Sequence, residues 1–143
     1  MLDLVFDAKT SNWDKLYNRL HDFFLSLKIS EDKIERICIA CEEVFVNICN
    51  YAYQNCRDDT KKDVKIKSEY ENNILSITFI DNGVEFNPLD FKKNKIEKKG
   101  VEKMKIGGYG IYLVNKIMDN IKYERKDDKN YFYIYKKINS NRE

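Results

Sequence analysis

The residues of this chain best suited to hold a phosphate group form a glycine cluster, Gly107-Gly108-Tyr109-Gly110, which runs directly into an amphipathic segment. Glycine lacks a Cβ, so the backbone at such a cluster can approach a ligand closely. The segment that follows has a helical pattern, and the N–H groups at a helix N-terminus bind anions. The cluster therefore predicts a phosphate-binding loop followed by a helix over about residues 109–119. A plain tight turn before a helix is the alternative.

Two common phosphate-binding motifs are absent from the sequence. The chain contains no Gly-x-x-x-x-Gly-Lys-Ser/Thr pattern, which excludes a P-loop. A dinucleotide fingerprint would need glycine where Leu113 stands, and a buried strand where residues 92–105 carry seven lysines. Those lysines predict a mobile, solvated surface loop. A phosphate- or partner-contacting lid is the main alternative, and a nucleic-acid patch is the weakest, because the run lacks interleaved aromatic residues.

A second group of chemically useful residues lies on a predicted helix. Glu43 and Asn47 are four residues apart, so a helix places them on one face, one turn from each other. An asparagine oxygen is a suitable ligand for Mg²⁺, and a glutamate one turn away can accept a proton from an attacking hydroxyl. The alternative is that both are ordinary surface polar residues.

A third group follows a predicted strand, where Asp81-Asn82-Gly83 marks the strand end. A carboxylate at that position can accept a hydrogen bond from the exocyclic amine of adenine, and Gly83 would let the ring pack against the backbone. A simple Asp-x-Gly turn is the alternative.

The hydrophobic pattern predicts five strands and three helices. This order predicts an α+β two-layer sandwich, with a mostly antiparallel five-stranded sheet and three helices on one face. The predicted strands are 2–6, 63–70, 74–80, 120–126 and 131–138; the predicted helices are 11–28, 109–119 and one that Ser30 caps and that ends near Tyr53; the predicted turns are 71–73 and 127–130.

Composition limits the class of protein. The 143 residues, 43% hydrophobic and 35% charged, fit one globular domain over 1–143, and a net charge of +2 does not by itself indicate a nucleic-acid partner. No stretch is long and apolar enough to span a membrane, and the acidic N-terminal segment is unlike a signal peptide. Four cysteines then indicate reduced thiols in a cytoplasm, with Cys38 and Cys41 as buried thiols in preference to a zinc site. The one histidine, His21, is expected on a helix face.

The three sets of residues described above, taken in their order along the chain, resemble a known set of motifs. They resemble the N, G1 and G2 boxes of the GHKL (Bergerat) ATP-binding fold, and the likeness covers about residues 2–138. Within that superfamily the chain is similar to the anti-sigma-factor serine/threonine kinases. The matching segments are Glu43-x-x-x-Asn47-x-x-x-Tyr51-Ala52-Tyr53, Asp81-x-Gly83-x-x-Phe86-Asn87-Pro88 and Gly107-Gly108-x-Gly110-Ile111-x-Leu113.

This resemblance implies a cytoplasmic kinase that uses ATP and Mg²⁺ to phosphorylate an anti-sigma-factor antagonist, and that sequesters a sigma factor. It implies a homodimer, and neither direct nucleic-acid contact nor a membrane. By resemblance, Asn47 is the Mg²⁺ ligand, Glu43 the catalytic carboxylate and Asp81 the adenine partner. The remaining nucleotide contacts that it implies are Asn50, Gly83, Phe86, Gly107, Gly108, Tyr109, Gly110 and Ile111.

Two positions depart from the family pattern and keep a second interpretation open. Tyr51 stands where the family usually has histidine, and Glu85 replaces the second glycine of the G1 box. These departures favour a module that binds nucleotide and a protein partner without phosphoryl transfer, whereas retention of Glu43 favours the kinase. The catalytic domain of a histidine kinase is disfavoured unless the chain is a fragment, because no dimerisation helices with a phosphorylatable histidine precede the motifs in this sequence.

Overall fold

A computed structural model of the chain describes residues 1–54, 56, 59–87 and 109–138. The lysine-rich run 92–105, predicted as a surface loop, lies outside these residues. So do Gly107 and Gly108 of the predicted phosphate-binding loop.

Five antiparallel strands form one sheet in the order β1-β2-β3-β5-β4. Two-residue hairpin turns join β2 to β3 and β4 to β5. The four turn residues, Asn72, Asn73, Asp127 and Asp128, have φ of 54–65°, a left-handed conformation that asparagine and aspartate tolerate. The strands are β1 Leu2–Asp7, β2 Asp63–Glu71, β3 Ile74–Asp81, β4 Asn120–Lys126 and β5 Lys129–Lys137.

The predicted turn at 127–130 is too long. Only Asp127 and Asp128 form it, and Lys129 and Asn130 already belong to β5. The cause is the two-residue hairpin, which needs no more than the two left-handed residues. This correction moves Asn130 from a surface turn into the sheet.

Three α-helices cover one face of the sheet, as predicted, and they are shorter than the sequence pattern suggested. They are α1 Trp13–Ser26, α2 Glu31–Asn47 and α3 Tyr109–Ile117. The Ser30 side chain caps α2 by accepting a hydrogen bond from the Lys33 N–H at 3.4 Å. His21 lies on α1, where its Nε2 is 2.9 Å from a Glu31 carboxylate oxygen. None of these described helices is long and apolar enough to cross a lipid bilayer.

The core lies between the helices and the sheet. It takes Leu16, Leu20 and Phe24 from α1, Ile34, Ile37 and Phe45 from α2, Ile111 and Val114 from α3, and Ile66, Ile77, Phe79, Phe132 and Ile134 from the strands. Cys38 and Cys41 are buried in it, as predicted, while Cys49 and Cys56 are half-buried. Burial raises the pKa of the Cys38 thiol to about 12 and that of Cys41 well above its usual value, so both are poor nucleophiles.

Candidate nucleotide-binding site

The C-terminal turns of α2 bring Glu43 and Asn47 to one helix face. Asn47 is only 9% exposed, and its side chain makes no hydrogen bond to any described residue. Buried amide groups are almost always paired with protein or with ordered water, so the Asn47 side chain is a group that a ligand, an ion or a water molecule can complete.

Glu43 is half-buried on the same face, without a hydrogen-bond or ion-pair partner among the described residues. Burial, with the neighbouring charge of Glu42 as a second cause, raises the pKa of the Glu43 carboxyl above its usual value. A carboxylate with a raised pKa is a stronger base than one in water.

After Asn47 the α-helix gives way to a wide π-helical turn over Ile48–Ala52. The predicted continuous helix to Tyr53 is therefore wrong in its last turn; such turns are frequent at functional sites. The Tyr51 ring packs against Phe86, with ring centroids 6.2 Å apart, so the residue that replaces the family histidine forms part of an aromatic contact. Asn50 is exposed and does not line the cleft, and its contact with nucleotide stays a prediction.

The end of the π-helical turn is fastened to the loop after β3. The Val84 N–H donates to the Ala52 carbonyl at 2.8 Å. A Cβ added to Gly83 would overlap the Ala52 carbonyl oxygen and the Ala52 side chain. Glycine is thus required at this position because two backbone segments meet there, a reason that the sequence did not reveal.

Tyr53 makes a second link between the same segments. Its hydroxyl donates to the Asp63 carbonyl at 2.5 Å and accepts from the Asn82 N–H at 2.9 Å. The buried ring therefore holds the end of the π-helical turn against both strands of the β2–β3 hairpin.

Asp81, the last residue of β3, is 4% exposed. One of its oxygens, Oδ1, accepts from the Gly83 N–H and from Asn130 Nδ2, each at 2.9 Å. No described residue donates to the other oxygen, Oδ2. Burial raises the pKa of the Asp81 carboxyl, and the hydrogen bonds from Asn130 and Gly83, with the charge of Arg125, partly oppose that effect.

Asn130 holds Asp81 in place, and the sequence analysis did not single it out. It lies directly opposite Asp81 in the β3–β5 register and is 4% exposed. Its Nδ2 also donates to the Val84 carbonyl at 2.8 Å, and its Oδ1 accepts from the Tyr123 hydroxyl at 2.5 Å and from Arg125 at 3.2 Å. Arg125 donates in turn to the Gly83 carbonyl at 2.9 Å. A two-residue hairpin at Asp127-Asp128 was the signal that could have placed Asn130 at this position.

These groups enclose one cleft, with about 370 Å³ of empty space that is partly open to solvent. Its walls are mainly apolar, and its polar groups come from α2, β3, β4 and β5. The lining residues are Val44, Asn47, Ile48, Ala52, Asp81, Phe86, Ile111, Tyr123, Asn130 and Phe132. Apolar walls with a few placed polar groups are typical of a small-molecule site.

The structure brings Asn47, Asp81, Phe86 and Ile111 together in one cleft. Their contacts with nucleotide stay predictions. Gly83 lies behind Asp81 and shapes the loop rather than the lining. Tyr109 and Gly110, the last two residues of the glycine cluster, are the first two residues of α3.

The sequence model of the family described as "Histidine kinase-like ATPase domain" matches residues 6–136 of this chain. The chain belongs to that family. ATP is accordingly the cofactor that membership in this ATPase family implies. The GHKL resemblance seen in the sequence is confirmed by this match.

The chain is also similar to individual curated proteins that carry a more specific name. The chain is 38% identical over 93 residues to "Serine-protein kinase RsbW" from Bacillus thuringiensis (strain Al Hakam), and equally to the protein of that name from Bacillus anthracis. The alignment covers 63% of this chain and 56% of either relative, so the chain spans just over half the length of the curated relatives that it matches.

A solved structure supports the fold. The Acinetobacter baumannii histidine kinase AdeS superposes with a TM-score of 0.52 at 14% identity, over 98% of this chain and 69% of that protein. This likeness confirms the α+β two-layer architecture of the histidine kinase-like ATPase domain and carries no statement about substrate.

Proposed function

We propose that this chain binds ATP with Mg²⁺ and transfers the γ-phosphoryl group to a serine or threonine of an anti-sigma-factor antagonist, and that it also sequesters a sigma factor in the cytoplasm. In this proposal the 143 residues act as one ATP-binding unit. The observation that carries the proposal is a pair of buried polar groups without a described protein partner, Asp81 Oδ2 and the Asn47 side chain, on the same apolar cleft.

The Asp81 carboxylate fits adenine. Because Gly83 and Asn130 both donate to Oδ1, the second oxygen keeps its capacity to accept the exocyclic amine of the base. A purine ring would be held by the apolar walls from Ile48, Ala52 and Phe132. Guanine carries a carbonyl at the equivalent position and would present an acceptor to an acceptor.

The Asn47 side chain fits Mg²⁺. This ion prefers oxygen ligands and is usually held by one or two protein groups together with the phosphates of its nucleotide. An unpaired, buried amide oxygen on the cleft wall supplies one such ligand. When bound, the ion would neutralise charge on the phosphates.

Glu43 is the residue that we assign to the proton of the attacking hydroxyl. It lies one turn before Asn47, and its raised pKa suits a general base. Phosphoryl transfer otherwise depends mainly on positioning and on charge stabilisation. The printed name of the relatives, serine-protein kinase, supports serine as the acceptor.

The second candidate function is a module that binds nucleotide and a protein partner and transfers nothing. The Tyr51–Phe86 contact favours it, because an aromatic pair occupies the position of the family histidine. Glu85 does not add weight to it, since that side chain is exposed and does not line the cleft.

Calorimetry with ATP and GTP tests the binding site. Asp81→Asn keeps an oxygen that accepts from Gly83 and Asn130, but it presents an amide donor to the adenine amine. ATP affinity should therefore fall about 10- to 100-fold, the contribution of a hydrogen bond to a charged acceptor. GTP affinity should fall less. Asn47→Ala should weaken ATP binding in Mg²⁺ far more than in EDTA. Asn18→Ala, on the exposed surface of α1, is the matched control.

Incubation with labelled ATP, Mg²⁺ and a candidate antagonist protein then separates the two functions. Transfer of label to a serine or threonine establishes the kinase. Tight ATP binding without any transfer would favour the binding module. Failure of the wild type to bind ATP at all would overturn both.

A further inference from the structure

Three side chains of types that commonly bind metal ions lie together between α1 and α2. They are His21 of α1 and Glu31 and Glu35 of α2, and their ligand atoms all lie within 4.8 Å of one another. His21 Nε2 is 2.9 Å from Glu31 Oε1. We call these three residues the imidazole–carboxylate cluster. Glu31 begins α2 and Asn47 ends it, about 24 Å away along the helix axis, so the cluster is separate from the cleft.

The turn between the two helices brings the cluster together. Lys28 has a left-handed φ of 66°, and the Ile29 N–H donates to the Phe24 carbonyl at 3.3 Å, as in the Schellman motifs that end helices. The connection consists of Leu27–Ser30, so α2 returns alongside α1 as in an αα-hairpin. His21, in the second half of α1, therefore faces the first turns of α2.

The two glutamates form a pair of like charges. They are four residues apart on α2, so they lie on one face, where two carboxylates repel each other. The helix dipole stabilises Glu31 in the first turn of α2, but its effect fades beyond that turn, where Glu35 lies. Among the residues that the structure describes, no lysine or arginine forms an ion pair with either carboxylate. The charges that act on His21 are also acidic, those of Glu31, Glu35 and Asp22.

Neighbouring side chains orient the cluster. The Tyr17 hydroxyl donates to Glu35 Oε2 at 2.5 Å, and the Tyr17 ring packs against the His21 ring with centroids 5.6 Å apart. Asp22 Oδ1 lies 4.0 Å from Nδ1, the other ring nitrogen of His21. In metal sites the second nitrogen of a histidine ligand usually faces a carboxylate or carbonyl, and a carboxylate ligand is itself hydrogen-bonded. The cluster has a neighbour of each kind.

We propose that the imidazole–carboxylate cluster binds Zn²⁺ or a similar divalent transition-metal ion, which joins α1 to α2. Zn²⁺ takes imidazole nitrogen and carboxylate oxygen at about 2.0–2.2 Å, in tetrahedral geometry. Ligand atoms around such an ion lie about 3.4 Å from one another, a spacing between the 2.9 Å and the 4.8 Å of this cluster. A neutral imidazole and two carboxylates carry two negative charges, which the ion would neutralise, and water would complete its coordination.

The ligand types favour a transition metal over the common light cations. Mg²⁺ and Ca²⁺ prefer sites made of oxygen atoms, whereas imidazole suits zinc and its neighbours in the first transition series. A plain ion pair between protonated His21 and Glu31 is the alternative. That pair would leave the charge of Glu35 without a cation and would give Tyr17 no role.

Calorimetry with ZnCl₂ tests the proposal on the full chain, after treatment with a chelator and without nucleotide. We expect one Zn²⁺ per chain, and an excess of Mg²⁺ should not displace it. Binding should weaken as the pH falls, because a proton competes for His21, whose pKa the hydrogen bond to Glu31 raises above its usual value. Co²⁺ in place of Zn²⁺ should give an absorption spectrum without a sulfur-to-metal charge-transfer band, which separates this cluster from the four cysteines.

Variants assign the binding to these residues. Tyr17→Phe, which loses only the hydrogen bond to Glu35, should weaken Zn²⁺ binding about 10-fold, at the lower end of the effects of such orienting neighbours. His21→Gln, Glu31→Gln and Glu35→Gln each remove a ligand and should weaken it more than Tyr17→Phe does. The matched control is Asp32→Asn, which removes an exposed carboxylate from the same first turn of α2 and should bind as the wild type does. Circular dichroism verifies that each variant folds.

Four results would each overturn the proposal. They are no Zn²⁺ binding, a sulfur-to-metal band in the Co²⁺ spectrum, equally tight binding of Mg²⁺, and unchanged Zn²⁺ affinity in Glu35→Gln. The third would show attraction to negative charge alone, and the fourth would leave the plain ion pair with an adventitious ion only. None of these results bears on ATP binding in the cleft, because every measurement is made without nucleotide.

Discussion

Replacing Asn130 by aspartate tests the arrangement at the centre of the cleft with almost no change in shape. Asn130 Nδ2 lies 2.9 Å from Asp81 Oδ1, and both side chains are 4% exposed. In Asn130→Asp a carboxylate oxygen replaces the amide donor. The favourable hydrogen bond becomes a contact between two buried carboxyl groups. In such a pair the charge of one carboxylate raises the pKa of the other, so that only one of the two ionises readily.

The cost follows from Coulomb's law. Two unit charges that relax to about 4 Å apart repel by about 4 kcal/mol at an effective dielectric constant of about 20. Arg125, whose guanidinium is 3.2 Å from Asn130 Oδ1, offsets part of this repulsion. We therefore expect the variant to lose about 2–4 kcal/mol of its free energy of unfolding near pH 8.

The loss should disappear in acid. The folded pair would keep one proton that the unfolded chain releases, so the pKa of one carboxyl in the folded state lies above its unfolded value. Stability then falls as pH rises, by up to about 1.4 kcal/mol per pH unit, until the proton is lost. Near pH 5, roughly a unit above the unfolded pKa of aspartate, the variant should approach wild-type stability.

Urea unfolding of both proteins between about pH 5 and pH 8 measures this difference. Asn72→Asp, the same change in an exposed hairpin turn with left-handed φ, is the control and should follow the wild-type pH profile. Parallel profiles for wild type and Asn130→Asp would refute the reasoning, because they would show that the two side chains do not interact in the folded protein.

Three further predictions concern the same site. Glu43→Gln should lower the rate of phosphoryl transfer about 10²- to 10⁴-fold, with ATP affinity nearly unchanged. The control Glu42→Gln should have little effect on that rate. Equal transfer rates for wild type and Glu43→Gln would contradict the assigned role. Gly83→Ala should lower the unfolding free energy by at least about 2 kcal/mol, because its methyl group has no space beside Ala52; an unchanged thermal midpoint would argue against that contact. Tyr53→Phe should cost about 1–3 kcal/mol, since it leaves Asp63 and Asn82 backbone groups unpaired; urea unfolding measures it.

The elements with strong local signals were predictable. The alternation along β2 and β3, the Ser30 cap and the asparagine hairpin are local patterns, and the structure confirms each of them. The end of α2 was not predictable, because a π-helical turn keeps the same hydrophobic residues and changes only the backbone hydrogen bonds.

Asp81 and Asn47 were selected by the order and spacing of the motifs that resemble the family, and the structure places both on the cleft. Their roles in nucleotide binding stay predictions. Asn130 was not predicted because its role depends on the register between β3 and β5: a shift of that pairing by one residue would place Lys129 or Tyr131 opposite Asp81. The requirement for glycine at position 83 could not be predicted from the sequence. It arises from a contact with Ala52, 31 residues earlier, and no local sequence pattern indicates a contact at that separation.

The Asp81–Asn130 pair also joins the two halves of the sheet. Asp81 is the last residue of the β2–β3 hairpin, and Asn130 is the second residue of β5 in the β4–β5 hairpin. The two hairpins meet at the β3–β5 ladder. A nucleotide held at this junction would be released whenever the hairpins separate. At a concentration 100 times its Kd, such a ligand adds about 2.7 kcal/mol to the cost of that separation. Bound nucleotide would therefore stabilise the junction between the two hairpins as well as fill the cleft.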